Sequence, residues 1–110
     1  MDNERFTQLF NDQVKLCEGL LVKKNAEYAS GGDRLSNFRQ TSSLMGMHPA
    51  EVAFCYDAKH IASIQKIVRD LSNGIVPTED MWKEKITDYL NYGFLLNACV
   101  MEAISKSDPV

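Results

Sequence analysis

The sequence is poor in the features that mark several large protein classes. It has no basic excess: 12 lysines and arginines stand against 15 aspartates and glutamates, a net charge of −3. Duplex nucleic acid is therefore not an expected partner, because its backbone calls for a cationic face that displaces counterions. A local basic pocket for one small phosphate compound remains compatible with this balance. No apolar run approaches the roughly 18 residues of a membrane-spanning helix, so no membrane partner is expected. The opening MDNERFTQLF is charged and carries no signal-type apolar stretch. Cysteine is scarce and odd in number, and Cys17, Cys55 and Cys99 fit no zinc or redox spacing. They read as small buried hydrophobes of a chain kept in a reducing cytoplasm. Internal repeats, low-complexity tracts and period-two alternation are missing as well, which leaves no strand to predict.

What is present is helical pattern. Apolar residues make up 45% and charged residues 25% of 110 positions, an ordinary globular balance for one domain spanning 1–110. In the first 26 residues Phe6, Phe10, Cys17 and Leu21 recur at helical steps with Leu9, Val14, Leu16 and Leu20, predicting an amphipathic helix over 3–26. The cluster Tyr28-Ala29-Ser30-Gly31-Gly32 then makes a turn. A short helix is expected over 33–45, stopping at Gly46, with Asp33 or Ser36 as its cap and Phe38 and Leu44 inward. A third helix begins at Met47-His48-Pro49 and runs to about Ser72, ended by Asn73-Gly74. Its apolar line is Ala53, Tyr56, Ile64, Ile67, Val68 and Leu71. The fourth follows Ile75-Val76-Pro77, with Thr78 as N-cap and Glu79 and Asp80 at the positive end of the helix dipole, and continues to about Ser105. From Tyr89 onward it is apolar nearly all round, and so asks for cover on every side. The expected fold is all-α: a small bundle of three long helices plus one short helix, completed by oligomerisation, most simply as a dimer. Trp82 and Met45, Met47, Met81 and Met101 are expected in the core or at the subunit interface.

Three groups of residues could carry chemistry. Glu84, Asp88 and Asn91 share one face of the last helix at about 100° per residue. Their stripe continues into apolar Leu95 and Cys99, which puts the carboxylates at the mouth of a bundle interior. They read either as half of a divalent-cation site or as a solvated face with local ion pairs. Asp57 and His60 project onto the core side of the third helix, as a hydrogen-bonded core pair or as ligand contacts, His60 toward phosphate or metal. Lys59 points away from that line, to solvent or to a neighbouring subunit. The third group is the loop from Lys23 to Arg39. There, glycines let amides approach an anion, Arg34 and Arg39 could fork onto phosphate, and Tyr28 or Phe38 could stack on a base. The Gly-x-x-x-x-Gly-Lys spacing of a P-loop is absent, and the competing reading is an ordinary inter-helix turn. No nucleophilic triad is visible.

Lys59-His60-x-x-Ser63-Ile64, then Glu84-Lys85-Ile86-x-Asp88-x-x-Asn91-Tyr92, with Lys24-x-x-Glu27-Tyr28 leading to a glycine-containing loop and Phe38, resembles small phage-encoded helical proteins. The likeness covers about residues 23–102. It extends to phage nucleotide-modification-associated domains and, more distantly, to MazG-like all-α nucleotide pyrophosphohydrolases. That resemblance implies a helical, oligomeric protein with a magnesium-dependent site for nucleoside triphosphates. By position, Glu84 and Asp88 would be metal ligands and Asn91 a contact to metal or sugar. The sequence departs from this pattern at two points. The usual Glu-x-x-Glu pair of the preceding helix is replaced by Glu51, Asp57 and His60, and the second acidic motif is one residue longer than the usual Glu-x-x-Asp. The leading expectation is thus a phage-type, cytoplasmic nucleotide-binding protein that sequesters a phosphate-bearing nucleotide or a nucleotide-derived defence signal without chemistry and without a cofactor. Its ligand set would be Lys24, Glu27, Tyr28, Arg34, Asn37, Phe38, Arg39, Asp57, His60, Glu84, Asp88, Asn91 and Tyr92. A magnesium-dependent pyrophosphohydrolase using Glu27, Asp57, Glu84 and Asp88, and a helical interaction module, are the alternatives.

Overall fold

A computed structural model describes residues 1–24 and 32–107, and among these every regular element is helical. Helix α1 spans Asn3–Glu18 and is started by Asp2, whose side chain accepts the Arg5 amide at 2.8 Å. The chain then widens into a π-helical segment, Gly19–Lys24, where the sequence pattern had predicted uninterrupted α-helix. The change begins at a glycine, the residue that least resists a new backbone geometry.

Helix α2 spans Ser36–Met45 and ends at Gly46, whose φ of +67° only glycine adopts at no steric cost. Its N-cap is Leu35, without a side-chain cap bond, rather than the expected Asp33 or Ser36. Asp33 still serves the helix start, accepting the Leu35 amide at 3.0 Å from two residues upstream. Leu44 does not pack inward as its apolar character suggested; it is 85% exposed.

Helix α3, Pro49–Ser72, has the predicted bounds. Its cap is His48, whose Nδ1 accepts the Ala50 amide at 3.0 Å while the Glu51 carboxylate accepts the His48 amide at 3.3 Å. An imidazole thus replaces the usual hydroxyl or carboxylate in a capping box. Helix α4, Glu79–Lys106, is capped as expected by Thr78, which accepts the Met81 amide at 3.2 Å.

The architecture is an all-α bundle in which α3 and α4 form the longest seam. They close where α3 presents Val52 and Ala53, 1% and 0% exposed. Leu35 and Phe38 from the α2 side and Cys99 from α4 complete this core, with Met47, Tyr92, Leu95 and Leu96 packed around it. Cys17 and Cys99 are buried as expected, but Cys55 is exposed, because α3 turns it well off the Val52–Ala53 line. Met45, Met81 and Met101 are likewise exposed in the single chain, whereas Met47 joins the core margin. Helix α1 lies against α4 through Gln13, whose side-chain amide donates to Thr87 Oγ1 at 2.8 Å. Among the described residues no helix is long and apolar enough to cross a membrane.

One ion cluster ties the ends of the bundle together. Arg39 of α2 donates to Asp33 at 2.6 Å and, through both terminal nitrogens, to the two oxygens of Glu102 on α4 at 2.6 Å each. The guanidinium holds both carboxyls below their ordinary values. Groups with depressed values stabilise the fold above the ordinary carboxylate range and lose that contribution as pH falls through the depressed values. Arg39→Met should therefore lower the melting temperature at pH 7. The gap should narrow as pH drops below about 4 and in high salt, since the cluster is partly exposed. Calorimetry across pH 2–8 checks this, and equal melting temperatures at pH 7 would show the clamp to be idle.

Candidate functional site

The seam between α3 and α4 gathers residues of different chemistry at one level. Steps of three and four place Tyr56, Asp57 and His60 on the α4-facing side of α3. The same spacing brings Asp88, Asn91 and Tyr92 of α4 to meet them, and Phe38 enters from α2. The rings pack on one another: His60 and Tyr92 lie 5.0 Å apart with planes tilted by 31°, Phe38 and Tyr56 are 5.8 Å apart, and Tyr92 is 6.5 Å from both Tyr56 and Phe38. The Tyr56 hydroxyl shares a 2.8 Å hydrogen bond with Thr41 Oγ1 of α2.

Helices α3 and α4 also bury the polar side chains of Asp57 and Asn91. Asp57 is 8% exposed and Asn91 is 7% exposed. One side-chain oxygen of each, Asp57 Oδ1 and Asn91 Oδ1, is fully buried and accepts no hydrogen bond from the described residues. A buried acceptor left without a donor costs about 1–3 kcal/mol, so two in one seam call for an explanation beyond packing. Burial pushes the Asp57 carboxyl above its ordinary value, and the nearby His60 pulls it partly back. Burial also raises the Tyr92 phenol, with Tyr56, Asp88 and Asp57 adding to the effect.

The acidic stripe of α4 runs from solvent into this seam. Glu84 is exposed, Asp88 half-buried and Asn91 buried, and the line continues through half-buried Leu95 to buried Cys99. The stripe reaches the rim of the interior, as its apolar continuation suggested, but Glu84 stays outside. Among the described residues no group of three or more His, Cys, Asp or Glu side chains is positioned to hold a metal ion. Magnesium uses several converging oxygens, and here the orphaned oxygens come from one carboxylate and one amide. Of the carboxylates named for the pyrophosphohydrolase alternative, Asp57 is buried, Asp88 half-buried and Glu84 exposed, and Glu27 lies outside the described residues.

The remaining predicted residues are dispersed. Glu27 and Tyr28 lie outside the described residues, as does the side chain of Lys24. Arg34 is exposed, and its guanidinium donates to the Leu21 carbonyl. Asn37 is exposed, and Phe38 is a core residue whose ring edges the site. Arg39, expected to face phosphate, is instead engaged by Asp33 and Glu102. Sequence reasoning missed Tyr56 and Thr41 as site components. The available signal was the position of Tyr56 four residues before His60, one turn along the same face. No protein-family model matches the chain, and neither a curated protein nor a solved structure matches it.

A raised carboxyl value weakens the fold as pH rises through the interval between the unfolded and folded values, and leaves it unaffected below both. Asp57→Asn removes that ionisation while keeping the shape. It should raise the melting temperature at pH 7 by several degrees, and the gain should vanish toward about pH 4. A loss of stability at pH 7 would mean that the ionised carboxylate has a donor in the seam.

Proposed function

We propose that the chain binds a phosphate-bearing nucleotide, or a small molecule derived from one, at the α3–α4 seam and holds it without chemistry. The observation that carries this reading is the pair of buried, unpartnered acceptors, Asp57 Oδ1 and Asn91 Oδ1, on the two helices that also bring His60 and Tyr92 together. A nucleobase supplies what is lacking, with N–H groups along one edge and a flat apolar face. The rings already fill the spaces between one another, so a base stacks on an outer face of Tyr56 or Tyr92 or displaces His60 to reach the oxygens. His60, half-buried at the rim, is the side chain placed to meet phosphate, since Arg39 is held by two carboxylates.

Holding without hydrolysis is the simpler chemistry for this residue set. Pyrophosphate cleavage calls for an activated water, and the sequence offers Glu51, Asp57 and His60 where the resemblance would have a Glu-x-x-Glu pair. In a cytoplasmic setting such a protein would withdraw a nucleotide from circulation. For a phage-encoded chain, the target would be a nucleotide-derived signal of host defence.

The test is incubation of pure protein with linear and cyclic nucleotides in the presence of magnesium, followed by heat release and chromatography. Intact ligand is the expected recovery, and loss of nucleotide with appearance of product overturns the reading. His60→Ala should weaken binding about tenfold, in line with a lost charge-assisted hydrogen bond. Asp57→Leu should abolish binding while leaving the protein at least as stable as the parent, because it removes an orphaned acceptor.

A further inference from the structure

The chain exposes more surface than is usual for a compact monomer of its mass. Its accessible area is 8076 Å², whereas a compact monomer of 12.4 kDa exposes about 6,100 Å². The radius of gyration tells the same story: it is 16.6 Å against about 13 Å for a compact domain of this length. The excess, roughly 2,000 Å² per chain, is of the size that obligate homodimers bury.

Large apolar side chains are exposed on every helix, and those of α1 and α4 border a common groove. Helix α1 touches α4 along the line of Gln13 and Cys17, where Gln13 reaches Thr87 and Cys17 is buried. Beside that line the two helices form a groove of about 520 Å³ whose lining is almost wholly apolar. Phe10, 59% exposed, and Val14 form one bank, and Phe94, 54% exposed, forms the other. Helix α4 outruns α1 toward its C-terminus, and Met101, two turns beyond Phe94, continues the same exposed line. Apolar patches this extensive mark an interaction surface rather than ordinary scatter.

We infer that this α1–α4 face is the interface with a second copy of the same chain. The area argument selects that occupant: the excess per chain, counted over two copies, falls in the range of permanent homodimers rather than transient contacts. Ridge and groove occur side by side on one surface, so two copies related by a two-fold axis can each offer α1 to the other's groove. The pairing also answers the all-round apolar character of α4, which α1 and α3 cover only in part. It stands apart from ligand binding at the α3–α4 seam, and neither depends on the other.

Sedimentation of the full chain from about 1 to 100 µM, combined with isotope-filtered NOEs between labelled and unlabelled copies, tests this. The expected result is a dimer throughout, with intermolecular contacts from Phe10 and Phe94. Phe10→Lys should shift sedimentation to the monomer or raise the dissociation constant at least 100-fold. Leu44→Lys, on the exposed end of α2, should leave the mass unchanged. If Phe10→Lys fails to fold, the NOEs of the parent protein decide alone. A folded monomer at 100 µM, or a dimer whose contacts avoid Phe10 and Phe94, overturns the proposal.

Discussion

The packing of α3 on α4 around the buried Val52 and Ala53 is the constraint on which the rest depends. Ala53 and Val52 are almost wholly buried and share one core cluster with Leu35 and Phe38 from the α2 side and Cys99 of α4. Once that packing is set, the next turns are committed: Asp57 and His60 of α3 must face Asn91 and Tyr92 of α4. Phe38 closes one end of the seam, and the Arg39 cluster holds α2 against the last turns of α4. The polar groups in the seam therefore sit where the packing places them. Their unpartnered oxygens lie inside the packed seam.

This arrangement sets stability against function within a few residues. An apolar seam would fold more firmly, since buried acceptors without donors weaken the state that buries them. Natural chains that keep such groups commonly use them, and the residues that oppose folding are then the ones that meet a ligand. Burial of the two oxygens raises the cost of leaving an acceptor unpaired and the gain from pairing it.

The existence of the helices was legible in the sequence because several of them carry their own stop or start residues. Pro49 and Thr78 fixed two beginnings, and Gly46 and Asn73-Gly74 fixed two ends. What was not legible depended on contacts between distant segments. Arg39 read as a phosphate ligand because its two carboxylate partners lie six and 63 residues away. Leu44 and Cys55 read as core residues from apolar character alone, while the register of their helices turned them to solvent. The π-widening at Gly19 had no periodic signature, since the apolar spacing there fits an α-helix equally well. The burial gradient along Glu84, Asp88 and Asn91 was legible, because the apolar residues that follow on the same face had to be covered.

The account rests on an Asp57 carboxyl that lacks a donor inside the seam, and its titration reports this directly. Carbon-detected NMR can follow the side-chain carboxyl of Asp57 across pH in the free protein. The predicted midpoint lies above the ordinary aspartate value of about 3.9, and it moves down when a bound nucleotide donates to the charged form. A midpoint at or below that ordinary value in the free protein would contradict the account, because the oxygen would then already have a donor or water.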